Sequence, residues 1–253
     1  MSDSTVLDVA TIQHGCGHCA LQKLCLPAGI SPHDLQRLED IVRRLRTMSR
    51  GERLYRLGDP LTAVYVARDG AFKTVSISEE GEEQVVDFHL PGELIGLDAL
   101  GTGAHRCEAV ALTSANVCEV PFDQLTAVAA KLPSLQQQLL RVIGQCVGRD
   151  QDHLGMLLRR QAGERIALFL HGLSERYRNI GQSPTQFKLP MSREDIAHYL
   201  GLALETVSRG FTKLQEDRVI EVVGRRIDVR DPDELRRLAH DAEHEEPRRR
   251  GRA

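Results

Sequence analysis

A chain of 253 residues with a formal net charge of −3 has room for two domains, each with its own core. It is too acidic overall to be a basic nucleic-acid coat, although a single basic face fits that balance. No apolar stretch approaches membrane-spanning length, so a soluble protein is expected; at 4% aromatic residues and no Trp, stacking of single strands on aromatic rings is not its expected main activity.

The first eleven residues are polar or mixed and hold no apolar run that would serve as a signal peptide, so a cytoplasmic location is expected. Cys16, Cys19 and Cys25 follow with the spacing C-x2-C-x5-C. In a reducing cytosol three close cysteines are seldom disulfides, which leaves metal or redox chemistry. Thiolates are soft, charged ligands suited to zinc or to iron–sulfur clusters, and Gly15 and Gly17 allow the tight turns of a loop wrapped around one site. Cys16-Gly17-His18-Cys19 also spells a disulfide-exchange motif. That motif belongs at a helix start following a strand, no strand can precede it here, and Cys25 has no part in such chemistry. Metal binding is therefore the favoured reading. The spacing does not separate zinc from iron–sulfur, and either needs a fourth ligand.

From about Glu52 to Phe122 the chain holds short alternating segments separated by turn signals: Gly58-Asp59-Pro60, Arg68-Asp69-Gly70, Glu80-Gly81 and Pro91-Gly92. Phe72–Ser78 and Glu83–Leu90 read as a hairpin. Regular short strands with Gly-rich turns predict a closed roll or barrel. The region resembles the β-roll of cyclic-nucleotide-binding domains, including the turn Gly92-Glu93-Leu94. In those relatives a Glu takes the ribose, and an Arg followed by Ser or Thr takes the phosphate. Here Arg106 is followed by Cys107 and Glu108, and a carboxylate beside a phosphate is repulsive, so no cyclic nucleotide is expected.

After Pro133 the pattern turns helical and stays so to about Gln161. Leu139, Ile143, Cys146, Asp150, His153 and Leu157 step alternately by four and three, a heptad seam. Val142, Val147, Leu154 and Leu158 widen the apolar face beyond one contact, which favours pairing with the same helix of a second subunit. Cys146, within that seam, reads as a core thiol. Asp150 then either points to solvent or faces its twin across a two-fold axis, where two like charges in a drying interface oppose association. A switched dimer, rather than a constitutive one, fits that placement.

Ser192-Arg193-Glu194-Asp195 starts a helix with a hydroxyl cap and an acid three residues later. Ile196, Ala197 and Leu200 form its apolar stripe, and Gly201 ends it. A second helix runs from about Leu204 to Glu216 with Val207, Phe211 and Leu214 inward. Val219–Val223 and Ile227–Val229, joined through Gly224-Arg225-Arg226, make a wing. This is a winged helix-turn-helix with the second helix as reader. Glu205, Ser208 and Arg209 lie at i, i+3 and i+4 and project together. Arg can bond guanine O6 and N7, Glu can accept from cytosine N4, and Ser can serve either. Ala203 stands where a Thr would cap the reader, forfeiting about 1 kcal/mol, and Gly210 inside it carries a similar penalty of about 1 kcal/mol.

Taken together, the Cys16/Cys19/Cys25 loop, Val117-Cys118-Glu119-Val120-Pro121-Phe122 and Gly201-Leu202-Ala203-Leu204-Glu205-Thr206-Val207-Ser208-Arg209 resemble the FNR-type oxygen sensors of the CRP/FNR regulator family over nearly the whole chain. The resemblance implies an α+β chain: residues 1–28 a cluster-binding loop, 29–132 a sensor β-roll, 133–162 a dimerisation helix, 163–238 a winged helix-turn-helix and 239–253 a basic-ended tail. It implies Cys118 as fourth ligand of an oxygen-labile [4Fe-4S] cluster, converted by oxygen to [2Fe-2S] and then lost, with no role for Cys107. It further implies a homodimer on palindromic DNA with TTGAT-like half-sites, Arg209 on the guanine, and an RNA polymerase contact near Gly81 and Glu82. A zinc or nitric-oxide-responsive regulator with the same reader, and more distantly a thiol–disulfide oxidoreductase, are the alternatives. His18, Ala20 and Leu24 are the residues placed to tune the cluster's oxygen sensitivity.

Overall fold

The computed structural model describes Cys16, Cys19 and residues 25–78, 80–159 and 161–240. Gly15, Gly17, His18, Ala20, Leu24 and the tail arginines Arg248, Arg249, Arg250 and Arg252 lie outside the described residues. In chain order the described elements begin with α1 (Pro32–Glu39) and the strands β1 (Arg43–Met48), β2 (Arg53–Tyr55), β3 (Ala63–Asp69), β4 (Phe72–Ile77), β5 (Glu83–His89), β6 (Leu94–Ile95), β7 (Glu108–Ala111) and β8 (Ala115–Pro121). Helices α2 (Phe122–Ala129), α3 (Pro133–Leu157) and α4 (Ala162–Asn179) follow. Next come β9 (Gln186–Lys188), α5 (Arg193–Leu200), α6 (Leu204–Glu216), β10 (Ile220–Val223), β11 (Arg226–Val229) and α7 (Pro232–His240).

The alternation in the middle third builds two antiparallel four-stranded sheets, β1-β8-β3-β6 and β2-β7-β4-β5. Residues of one pleat parity, among them Tyr65, Ala67, Val117 and Phe72, point inward and fill the roll with Met48, Leu54, Tyr55 and Ile95. The opposite parity of β3 and β8 faces outward. Val64, Val66 and Val120 there bury against Leu26, Leu38, Leu125, Leu135 and Val142, which ties the segment after the cysteines, α1, α2 and α3 to the outside of that sheet. Gly70 turns β3 into β4 at φ 71°, and a Cβ there would stand 2.5 Å from that of Ala115. Only glycine lets this turn pass so close to β8.

The C-terminal module packs α4, α5, α6 and α7 with the sheet β10-β11-β9 around Ile166, Leu170, Ile196, Leu200, Val207, Phe211 and Ile227. The strand β9, which supplies the third member of the wing sheet, has no counterpart in the sequence reading. Gly210 is not merely a weak point of the reader. A Cβ there would meet Ile166 Cδ1 at 2.3 Å, so its absence lets α6 seat against α4.

Two boundaries and one helix face differ from expectation. The long helix ends at Leu157, and α4 starts a new axis at Ala162, because the second helix must turn to bury Ile166, Phe169 and Leu170 in the C-terminal core. The heptad seam is also rotated. Leu139 and Cys146 pack on the roll cluster, and the His153 ring stacks on Tyr199 at 3.9 Å. The face left open carries Leu140, Val147, Leu154 and Leu158, with Asp150 exposed and Ile143 and Leu157 half-buried beside it. Of the seam, Leu139 and Cys146 turn to the roll and His153 to α5, while Ile143, Asp150 and Leu157 stay beside the open face. Finally, α7 runs to His240 with Ala239 buried, so residues 239 and 240 belong to the folded module and not to the tail.

Candidate nucleic-acid interface and thiol site

Strand pleat decides where Cys118 goes. Val117 points into the roll, so its neighbour Cys118 points outward and packs with Cys25 against the outer cluster. The cysteine segment is tied down from two directions. Cys19 N donates to the Cys16 carbonyl at 3.2 Å, closing a tight turn. The Cys25 carbonyl accepts from Ala28 N at 3.0 Å and from Gln138 Nε2 of α3 at 2.9 Å. Gln138 is buried, and its Oε1 accepts from Arg141 Nε at 2.8 Å, which holds the amide in that orientation.

Three of these thiols are shifted by their surroundings. The Cys16 thiol is pushed up to about 12 by burial first, then by Cys118, Glu39 and Cys19, with Arg68 opposing. Burial likewise pushes Cys25 up, with Cys16, Cys118 and Cys19 adding to it. Burial raises Cys118 as well; Arg68 lowers it and Cys19 raises it. Burial disfavours the thiolates of Cys16, Cys25 and Cys118, a cost that a cationic centre offsets; these are donors of the kind that suit a soft metal or an iron–sulfur core. Among the described residues, no group of three or more His, Cys, Asp or Glu side chains forms a ready metal cluster. Cys107 stands elsewhere: burial, Asp98 and Asp150 push its thiol up to about 11, with Arg106 opposing. Cys146 faces α3's own Arg149, whose Nη2 lies 3.2 Å from its sulfur.

The charged side chains around Gly92-Glu93-Leu94 and Arg106-Cys107-Glu108 are bonded within the chain. Glu93 receives Arg176 Nη2 at 2.6 Å and Nε at 3.0 Å. Asp98 accepts from the amides of Arg106 (2.8 Å) and Cys107 (3.2 Å), from the Tyr55 hydroxyl at 3.2 Å, and lies 3.2 Å from His105 Nδ1. Glu108 pairs with Arg53 rather than with Arg106.

The reader is set by local chemistry. Ser192 Oγ accepts from Asp195 N at 3.0 Å while Ser192 N donates to the Asp195 carboxylate at 2.8 Å, a complete capping box. Gly201 ends α5 at φ 60°, and α6 then begins at an Ala203 cap with no side-chain bond. Glu205, Ser208 and Arg209 are all exposed on one face of α6. Arg209 Nε reaches only the Glu205 carbonyl, at 3.4 Å, and among the described residues no ion pair is recorded between the two side chains. Both charged heads are open to a base edge.

Three contributors were not found from the sequence. Arg68 stands beside Cys16 and Cys118 as the neighbouring cation. Gln138 joins the cysteine segment to α3. The Arg193 guanidinium lies 3.3 Å from the Phe211 ring centroid, where burial lowers its pKa to about 10, still a cation at neutral pH. A signal for Arg193 existed: a cation in the first turn of a helix opposes the macrodipole and calls for another reason. Arg68 and Gln138 carried none.

The chain matches two family models, a Crp-like helix-turn-helix domain over residues 164–238 and a cyclic nucleotide-binding domain over residues 45–131. It is 45% identical to the transcriptional activator protein Anr of Pseudomonas protegens over 227 residues, 90% of this chain and 93% of that one. It is 39% identical to the fumarate and nitrate reduction regulatory protein of Escherichia coli K12 over 224 residues, 88% and 90% of the two chains. Among solved structures it is similar to FixK2 from Bradyrhizobium japonicum, with a TM-score of 0.71 at 31% identity, covering 77% of this chain and 96% of that one. Among the described residues, no helix is long and apolar enough to cross a membrane.

Proposed function

The chain belongs to the CRP/FNR family of DNA-binding transcription regulators, in its FNR-type branch, and from that premise we propose that it is an oxygen-responsive regulator. Cys16, Cys19, Cys25 and Cys118 would hold an oxygen-labile [4Fe-4S] cluster, which when bound supplies the oxygen-reactive redox chemistry. The observation that carries this reading is the donor set itself: thiols from two distant segments, of which Cys25 and Cys118 pack on the same outer cluster and burial disfavours the thiolates of Cys16, Cys25 and Cys118.

The chain's own residues supply the rest. Gln138 reads the position of the Cys25 carbonyl and lies on α3, so a loop drawn onto the roll bears directly on that helix. The open face of α3 carries Leu140, Val147, Leu154 and Leu158, and Asp150 stands exposed among them. Pairing of two copies along this face buries those residues and opposes two Asp150 carboxylates, so association is conditional. The Asp150 carboxyl is raised by burial first and then by Asp87, with Arg149, His153 and His89 opposing; burial in a dimer would raise it further. Paired copies present two α6 helices to successive major grooves roughly 34 Å apart. Arg209 takes the guanine of a TTGAT-like half-site, while Ser208 and Glu205 read its neighbours. The turn at Gly81 and Glu82 offers a polymerase contact. The roll takes no cyclic nucleotide in this reading, since Arg106 is followed by Cys107 and Glu108, whose carboxylate would repel a phosphate.

An absorption spectrum of anaerobically purified protein, with iron and sulfide counts before and after air, tests it. A broad band near ~400 nm with about four iron per subunit, bleaching in air, is the expected result. A colourless protein with one zinc overturns the cluster and makes the thiol site structural.

A further inference from the structure

The C-terminal module is joined to α3 by only residues 158–161, a short link. Contacts with the roll fix the orientation of the module. Arg176, in the last turn of α4, forks onto both oxygens of Glu93 and also donates to the Phe88 carbonyl. The Glu93 carboxylate further accepts from Leu90 N at 2.9 Å. The pair is largely shielded, with side chains 20% and 17% exposed. Burial alone would raise the Glu93 pKa, but Arg176 and Arg149 more than offset it and hold it below the usual range. A second pin lies at the start of α5, where Lys73 Nζ of β4 meets Asp195 at 2.8 Å. Tyr199 of α5 completes the seam between Phe88 of the roll and His153 of α3.

We propose that Glu93 and Arg176 are positioning residues for DNA recognition: their two-pronged pair sets the angle at which the reader is held to the roll, and so the half-site spacing that a pair of readers accepts. Neither residue lies on α5, α6 or the wing. The pair acts at a distance, by holding one end of α4 while the short link holds the other. With the Lys73–Asp195 contact and Tyr199 at α5, the pair adds an attachment at the far end of α4, where a single one would leave a swivel. Glu93 of the roll is thereby bonded to the chain's own DNA-binding module. This rests on the proposed reading of a two-fold reader on palindromic DNA.

The test compares anaerobically purified full-length protein and its Glu93→Gln variant on palindromes carrying the preferred spacer, the spacer lengthened by one base pair, and a single half-site. The substitution is isosteric and leaves Arg176 buried without its partner, so binding to the preferred palindrome should fall about tenfold. The informative readout is the ratio between spacers: the variant should lose most of the wild-type preference while keeping its single half-site affinity and its base preference at the guanine. Restoration of the spacer preference by the exchanged pair Glu93→Arg with Arg176→Glu would support the assignment directly. A variant that weakens equally on both spacers, or that discriminates as sharply as wild type, overturns it. Should Glu93→Gln fail to fold, as judged by circular dichroism, Arg176→Lys replaces it; that variant keeps the charge, loses the fork and should flatten the preference partially, and an unchanged preference counts against the proposal. Wild-type protein that binds a palindrome no better than one half-site overturns the two-fold reading and this inference with it, an outcome distinct from a wild type that discriminates alongside an equally discriminating variant.

Discussion

The reader and the thiol site solve the same problem in opposite ways. The reader's parts are contiguous: a capping box at Ser192 and Asp195, a left-handed Gly201 and one exposed face of α6 lie within two short helices. Its charged heads need no preparation, since Arg209 and Glu205 are exposed and already carry the charge that base recognition uses. The thiol site draws on Cys16, Cys19 and Cys25 near one end and on Cys118 of β8, and burial raises the proton affinity of Cys16, Cys25 and Cys118. A permanent site is built from local signals, and a conditional one from distant parts that must be brought together against their own electrostatics. That difference suits a regulator whose reading head is constant and whose activation varies.

The comparison can be broken or sharpened by substitution, beginning with the largest effect. Cys118→Ser should abolish retention of iron in anaerobically purified protein, whereas Cys107→Ser should leave the iron count unchanged; the reverse pattern would reassign the ligand and undo the distinction. Gly210→Ala should destabilise the C-terminal module by about 1–3 kcal/mol through the clash with Ile166, read as a lowered midpoint in urea denaturation; an unchanged midpoint would mean that the core yields. Arg209→Ala should lose about 1–3 kcal/mol on the specific site and relax selection at one base pair, as measured by fluorescence anisotropy on single-base variants. Asp150→Ala should give a dimer that persists in air by sedimentation, uncoupling the pairing helix from the thiol site; only monomer in air would show that the charge is not the switch. Ala203→Ser should supply the missing cap and stabilise the reader by about 1 kcal/mol, and no gain in melting temperature would indicate that the Ala203 amide neighbours are satisfied by other means.

Legibility followed the range of the interactions. The β4–β5 hairpin, both helices of the reader and the wing hairpin fall within a residue or two of their sequence-based bounds, because turn glycines, caps and short-period alternation act within a few residues. The long helix was right in existence and wrong in two particulars, its end and its outward face. A heptad shows that one stripe is apolar, but α3 is apolar over more than one stripe. Which of them faces the roll was decided by Gln138, Val142 and Cys146 fitting under the cysteine segment and the outer sheet. Gly210 looked like a defect in isolation and proved to be a packing requirement once α4 was in place.

By itself, the amino-acid sequence determined the order of the modules, the roll-then-reader architecture and the exposed triad Glu205, Ser208 and Arg209, since each is written in periodicity and capping that operate locally. Tertiary structure alone decided that Cys118 turns outward toward Cys25, that Gln138 links the thiol segment to α3, that Asp150 stays in the open, and that Arg176 takes Glu93 from across the domain boundary. Those are contacts between residues dozens of positions apart. Their partners are chosen by where buried carboxylates, amides and thiols can find compensation in a folded interior, and no local pattern encodes that choice.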